Sequence, residues 1–236
     1  MPGTLYLIPT PLDTARGLSY SQPEAVSDII VSLRHYVVEE LRTARRFIGS
    51  LKRGIDIDGL SFAVLNEHTP PQEIEEMLRP ALDGFDIGLM SEAGVPAVAD
   101  PGAELVAAAH RKGIKVVPLV GASSIIMSLM ASGLTGQTFT FNGYLPVKDD
   151  ARRTAIARME RTALADGYSQ IFIEAPYRND KLLDNLLKVL SPAIRLTVAC
   201  DITSGQEYIR TDTVAGWRKT NIPTLHKRPT IFIIGR

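Results

Sequence analysis

Short apolar runs alternate with amphipathic stretches through the first half of the chain, and this rhythm sets the fold class before any motif is considered. Residues 5–8 (Leu-Tyr-Leu-Ile) form the first run, and Pro9-Thr10-Pro11 stops it. Residues 36–38, 62–65, 86–90 and 114–119 supply further runs. A short, unbroken apolar run reads as a strand buried on both faces. The stretches between them read as helices. Residues 23–32 place proline in the first turn, and 41–51 set Arg42, Arg45, Arg46 and Lys52 around an apolar face. Residues 69–82 carry Thr69 as a cap with Pro70 and Pro71 behind it, and 101–111 follow Asp100 as a cap and end at Gly113. Strands that alternate with helices make a mostly parallel sheet, because parallel neighbours need a crossover connection.

The second half has a different order. After Gly121-Ala122-Ser123-Ser124 comes an apolar helix to about Ser132. Strands are expected at 138–141, 171–174, 196–201, 206–213 and 230–234, with helices at 150–164 and 179–190. Several strands follow one another with no helix between them, so this sheet is expected to be mixed. The fold class is therefore α/β, with two α/β domains. Residues 1–118 form a mostly parallel domain and 119–236 a mixed one.

Charge and cysteine usage narrow the function. Lysine plus arginine number 26 and aspartate plus glutamate number 26, so the net charge is zero. Coating nucleic acid by bulk charge is disfavoured, although a local basic groove is not. Cys200 is the only cysteine, so no internal disulfide can form and a reducing compartment fits. The four histidines have no ligand spacing, and no metal site is expected. No run approaches the ~20 apolar residues of a membrane helix. The first residues lack signal-peptide character, so a cytoplasmic location without membrane contact is expected.

Three loops could carry chemistry, each after a strand, where open α/β sheets bind ligands. They are Pro9-Thr10-Pro11, Ser91-Glu92-Ala93-Gly94-Val95-Pro96 with Asp100-Pro101-Gly102 behind it, and Gly121-Ala122-Ser123-Ser124. Small residues let a ligand approach the backbone. The plainer reading is a set of tight turns with Asp100 as a helix cap. No dinucleotide fingerprint, phosphate-binding loop or serine-hydrolase elbow is present, which disfavours those enzyme classes.

Taken in order, these segments resemble the tetrapyrrole methylase family of S-adenosylmethionine (SAM) methyltransferases. The nearest likeness is to the branch that methylates a cytidine ribose 2′-hydroxyl in small-subunit ribosomal RNA. Ile8-Pro9-Thr10-Pro11, Val38-Glu39-Glu40-Leu41-Arg42 and Ser91-Glu92-Ala93-Gly94-Val95-Pro96 match its motifs in the first half. Asp100-Pro101-Gly102 and Gly121-Ala122-Ser123-Ser124 continue the series. Gly143-Tyr144-Leu145-Pro146 and Glu174-Ala175-Pro176-Tyr177-Arg178 match in the second half. The likeness runs from Gly3 to about Ile234.

The resemblance implies a homodimer, with SAM held mainly by backbone groups in a cleft between two domains. It implies cofactor contacts at Pro9, Ser91, Ala93, Gly94, Val95, Pro96, Gly121, Ala122, Ser123, Tyr144, Leu145, Ala175, Pro229 and Thr230. It also implies ribosomal RNA as the partner, contacted by Arg42, Lys148, Arg152 and Arg153. Departures from the family pattern include Glu92 for aspartate, Glu40-Leu41 for Asp-Thr, Cys200 and Ser204 for two cationic residues, and Arg228-Pro229 for Gly-Glu. These changes fall on the substrate side more than on the cofactor side.

A ribose hydroxyl needs help to lose its proton. Glu92 and Glu39 are the favoured bases, with Glu67 and His68 as further candidates. The competing reading makes Glu39 a partner of Arg42 and Glu92 an anchor of its loop. The basic faces at 42–52 and at 148–158 read either as phosphate-tracking stripes or as solvated helix surfaces. Glu174 and Arg178 read first as a structural ion pair, and Cys200 as core. Two other functions stay open: a methyltransferase of the same fold acting on a small molecule such as a tetrapyrrole, and a non-catalytic SAM- or RNA-binding relative.

Overall fold

A computed structural model describes residues 1–66 and 68–236. Glu67 lies outside the described residues. Two compact units are present, Met1–Ser123 and Ser124–Arg236. The division falls after Ser123 rather than after residue 118, so the Gly121 turn belongs to the first unit.

The first unit runs β1 (Thr4–Ile8), α1 (Glu24–Ser32), β2 (His35–Val38), α2 (Leu41–Ser50), β3 (Ser61–Val64), α3 (Pro71–Glu76), α4 (Arg79–Leu82), β4 (Ile87–Met90), α5 (Ala103–Arg111) and β5 (Lys115–Pro118). Its sheet has five strands in the order β3-β2-β4-β1-β5, and every pairing is parallel. Side chains alternate between two apolar layers, as the strand period of two requires. Leu5, Val37, Ile87 and Leu89 pack with Ile74, Leu78, Leu105 and Ala108 from α3 to α5. Ile8, Tyr36, Val38 and Met90 pack with Val26, Ile30, Phe47 and Ile48 from α1 and α2. Helices thus cover both faces, which explains why the strand sequences read as unbroken apolar runs.

The layers also show where the winding reverses. Chain leaving β1 and β2 turns to one face, while chain leaving β4 turns to the other. β4 sits between β2 and β1, so crevices open on both sides of its C-terminal end. Such reversal points are where open α/β sheets bind ligands.

Three sequence expectations fail here for local reasons. The helix expected over 69–82 is broken into α3 and α4. Pro80 lacks an N–H and its ring crowds the carbonyl four residues back, so the α3 ladder stops at Glu76. Thr69 does not cap it. Pro70 is the N-cap, and the Thr69 hydroxyl accepts from Asn66 N–H at 3.0 Å instead. Asp100 is not a cap either, because α5 begins after Gly102, whose φ is 130°.

The second unit runs α6 (Ser124–Ser132), β6 (Phe139–Tyr144), α7 (Asp149–Asp166), β7 (Ser169–Ile173), α8 (Asn179–Val189), β8 (Arg195–Cys200), β9 (Tyr208–Thr213), α9 (Val214–Trp217) and β10 (Thr230–Gly235). The sheet order is β6-β7-β10-β8-β9; β6 and β7 are parallel and the other pairs antiparallel. Phe172, Leu196, Val198, Phe232 and Ile234 face the helices α7 to α9 around Trp217. Trp217 is fully buried and donates its indole N–H to Leu196 O at 2.8 Å. β6 runs on through Gly143 and Tyr144, past the expected end at 141, by a shift of register after Phe141.

Candidate active site

In the first unit, the loops after β1, β4 and β5 are fastened to one another at the C-terminal edge of the sheet. Thr10 and Gly94 exchange backbone hydrogen bonds of 2.9 and 3.0 Å. The Thr10 hydroxyl also donates to Ser91 O at 3.2 Å. Gly94 holds φ at 82°, a conformation that favours glycine. A Cβ on Gly121 would stand 2.3 Å from Pro9 Cβ and 2.6 Å from its Cγ. Only glycine lets the β5 loop lie this close to the proline. The structure therefore brings Pro9, residues 91–96 and residues 121–123 to one place.

Carboxylates gather beside them. Glu39 follows β2; its N–H donates to Met90 O at 3.2 Å and its Oε2 accepts from Glu92 N–H at 3.2 Å. Its neighbour Glu40 has a different task. It caps α2, accepting from Thr43 N–H at 2.7 Å, and backbone hydrogen bonds from Thr43 and Arg42 hold its carboxyl below the usual range. Glu92 is exposed at the start of the loop after β4. Asp100 joins the group from the far end of that loop. Burial, and then the charge of Glu39, push its carboxyl up to about 6; Glu92 adds to the rise and the Ser91 hydroxyl opposes it. Among the described residues no group of three or more His, Cys, Asp or Glu could hold a metal ion.

The loop is strained. Ala97 and Ala99 both have φ of 65°. Left-handed backbone at a residue with a Cβ costs on the order of 1 kcal/mol or more, and persists only where surrounding structure enforces it. Sequence reasoning missed this and read Asp100 as a cap. Alanine gives no signal of left-handed backbone, so only the absence of a glycine or asparagine at these turns could have raised the question.

The candidate RNA-binding cations separate into two groups. Arg42 and Arg46 are exposed on α2, whereas Arg45 pairs with Asp58 and Arg53 with Glu24 at 2.9 Å. In the second unit Lys148, Arg153 and Arg158 are exposed. Arg152 is 4% exposed; it donates to Val147 O at 3.0 Å and pairs with Asp149. Its guanidinium is committed to fastening the start of α7, which removes it as a phosphate contact. His68 is exposed in the turn ahead of α3.

Within the second unit, the residues expected to touch the cofactor share one sheet edge. Tyr144 aligns with Ile173 and Ile173 with Ile231, so Leu145, Ala175 and Pro229-Thr230 follow or precede neighbouring strand ends. Leu145 is buried in the core and offers only backbone. The Thr230 hydroxyl donates to Arg228 O at 3.0 Å. Glu174 is buried and accepts from Arg178 Nε at 2.9 Å and from Ala175 N–H at 2.8 Å, a structural ion pair. Arg228 donates to Asp201 Oδ2 at 2.6 Å, beside Cys200, whose thiol burial pushes up.

No family model matches the chain. Curated relatives do. The protein named ribosomal RNA small subunit methyltransferase I of Vibrio cholerae is 33% identical over 209 residues, covering 87% of this chain and 67% of that one. The protein of the same name from Neisseria meningitidis serogroup A is 33% identical over 217 residues, 90% of this chain and 68% of that one. The one from Escherichia coli O157:H7 is 30% identical over 207 residues, 88% and 68%. Among solved structures, the methyltransferase CobJ matches with a TM-score of 0.64 at 15% identity, over 99% of this chain and 94% of that one, which shows the shared fold. An all-parallel domain followed by a mixed one, and the identity and coverage of these relatives, lead to one assignment: the chain belongs to the ribosomal RNA small subunit methyltransferase I family of methyltransferases.

Proposed function

We propose that this chain transfers a methyl group from SAM to a ribose 2′-hydroxyl of small-subunit ribosomal RNA. The observation that carries the reading is the fastening of the Pro9, Ser91 and Gly121 loops at the reversal point, beside carboxylates that have no cationic partner among the described residues. SAM supplies a methyl on a positively charged sulfonium. The residues present suit such a group: exposed carboxylates complement the positive charge, and glycine turns at 94 and 121 keep side chains off the backbone. Backbone groups of 91–96 and 121–123 would hold the cofactor, joined by those of Tyr144, Leu145, Ala175, Pro229 and Thr230.

The chain's part in the chemistry is to hold the acceptor in line with the methyl and to help its proton leave. Glu39 and Glu92 are candidate proton acceptors. Arg42, Lys148 and Arg153 would steer the RNA backbone. A homodimer in the cytoplasm completes the proposal; no helix among the described residues is long and apolar enough to cross a membrane.

The test is calorimetric titration with SAM and S-adenosylhomocysteine, followed by transfer of labelled methyl to small ribosomal subunits that lack this modification. One cofactor site per chain and labelled RNA ribose are expected, with RNA affinity falling steeply as salt rises. Cofactor binding with label appearing only on a tetrapyrrole-type acceptor would replace the substrate; no binding of either cofactor would remove the methyltransferase reading.

A further inference from the structure

The carboxyl groups around the end of β4 are not equivalent. Glu39 uses one oxygen to accept from Glu92 N–H, which makes it a brace for the loop. Glu92 extends from an exposed position. Asp100 is partly buried, and the left-handed Ala97 and Ala99 deliver it away from the start of α5, where it would otherwise cap. Ser91, 6% exposed, faces it with a buried hydroxyl that has no well-formed hydrogen bond within the chain. A buried hydroxyl in that condition is a place where a polar group of a ligand completes the bonding.

We propose that Asp100 accepts the proton of the methyl acceptor, with the Ser91 hydroxyl beside it bonding the incoming oxygen. The inference rests on the methyltransferase reading above. In the step, the acceptor oxygen forms a bond to the methyl carbon and the carbon–sulfur bond breaks, its electron pair staying on sulfur as a neutral thioether. The hydroxyl proton passes to an Asp100 carboxylate oxygen and then to water. A base works best when its proton affinity lies near the working pH. Burial and the charges of Glu39 and Glu92 raise Asp100 to about 6, against the small opposing effect of Ser91. The ionisable groups that face it, Glu39 from the turn after β2 and Glu92 from the loop after β4, are both acidic.

The experiment measures single-turnover methyl transfer to unmethylated small ribosomal subunits across about pH 5 to 8, for the unaltered chain, Asp100→Asn, Asp100→Glu, Glu92→Gln and Glu39→Gln. The unaltered rate is expected to rise with pH to a plateau, with a midpoint near 6. Asp100→Asn should be slower by about 100-fold or more and lose the slope, and Asp100→Glu should regain part of the rate. Calorimetric affinity of Asp100→Asn for S-adenosylhomocysteine should stay within about threefold. The proposal is overturned by an Asp100→Asn rate within about threefold of the unaltered one, or by lost S-adenosylhomocysteine binding in that variant. A flat profile for the unaltered chain, a measurement that needs no variant to fold, overturns it as well. So does a slope that vanishes in Glu92→Gln or Glu39→Gln and persists in Asp100→Asn. No transfer by the unaltered chain to any subunit removes the RNA reading, and this inference with it; full transfer by Asp100→Asn removes this inference alone.

Discussion

Three carboxylates of the second domain are held by arginines, and those at the head of the first domain's sheet are not. Glu174 is held by Arg178, Asp201 by Arg228 and Asp212 by Arg210. The first two pairs fasten the chain after β7 and β8, and the third lies within β9, where Asp212 also accepts from Thr213 N–H. At the end of β4, Glu39, Glu92 and Asp100 approach one another without a cation, on a loop whose backbone is itself strained. Uncompensated carboxylates on a left-handed loop are the kind of local disagreement that marks a candidate functional site. Left-handed backbone also occurs in the second domain, at Asp201, Thr203 and Lys227, but there it accompanies a carboxylate paired with Arg228; beside β4 it accompanies carboxylates with no cation.

The comparison can be broken at either end. The largest effect is expected from Trp217→Ala. It empties the centre of the second domain's core and leaves Leu196 O without its donor, so urea denaturation should show a loss of about 3–5 kcal/mol. Gly121→Val comes next. Its Cβ would collide with the Pro9 ring, and the loops after β1 and β5 must part, at a cost of about 1–3 kcal/mol. Here calorimetry should show S-adenosylhomocysteine binding failing well before the fold does. A Gly121→Val chain that binds normally would mean these loops are architecture only.

Asp100→Asn should act in the opposite sense. The folded-state proton affinity of Asp100 is raised from 3.8 to about 6, so the folded chain holds this proton more tightly than the unfolded chain. Stability therefore falls as pH rises between those values, and the ionised carboxyl is a net cost above them. Removing the charge should stabilise the chain at neutral pH by about 1–2 kcal/mol, once partial contact with water is allowed for. In urea denaturation the gain should shrink as pH falls and vanish below about pH 3, where both states are largely protonated. A loss of stability instead would place Asp100 among the structural residues, with the pairs of the second domain. The smallest effect belongs to Gly205→Ala in the second domain. No atom lies within 4 Å of the added methyl and φ is not positive, so a gain of at most about 0.4–1 kcal/mol in thermal unfolding is expected, with cofactor binding unchanged.

Much of the fold was legible because the parallel sheet writes itself as apolar runs. Leu5 to Ile8 and the residues of β2 and β4 are buried on both faces, so their sequence admits few alternatives. The three loops were legible through Pro9, Gly94 and Gly121, residues whose backbone limits are visible in their names. Other features depend on tertiary context. Pro80 sits within a pattern that otherwise reads as one helix, and it splits α3 from α4. Arg152 belonged to a run of basic residues, yet packing turned it inward while Arg153 stayed exposed. Asp100 carried the signature of a helix cap, and two left-handed alanines moved it elsewhere. Proton affinity was illegible for the same reason, since it depends on which distant residue, here Glu39, ends up alongside.

The burial of Trp217 has a spectroscopic consequence. It is the only tryptophan in the chain, and it lies wholly inside the second domain. Indole fluorescence therefore reads the opening of that domain and is blind to the first, whose aromatic residues are tyrosine and phenylalanine alone. A circular-dichroism melt follows both. If the two traces coincide, the halves unfold as one cooperative unit; if the fluorescence shift comes late, the domain carrying the carboxylates has already let go in the dark.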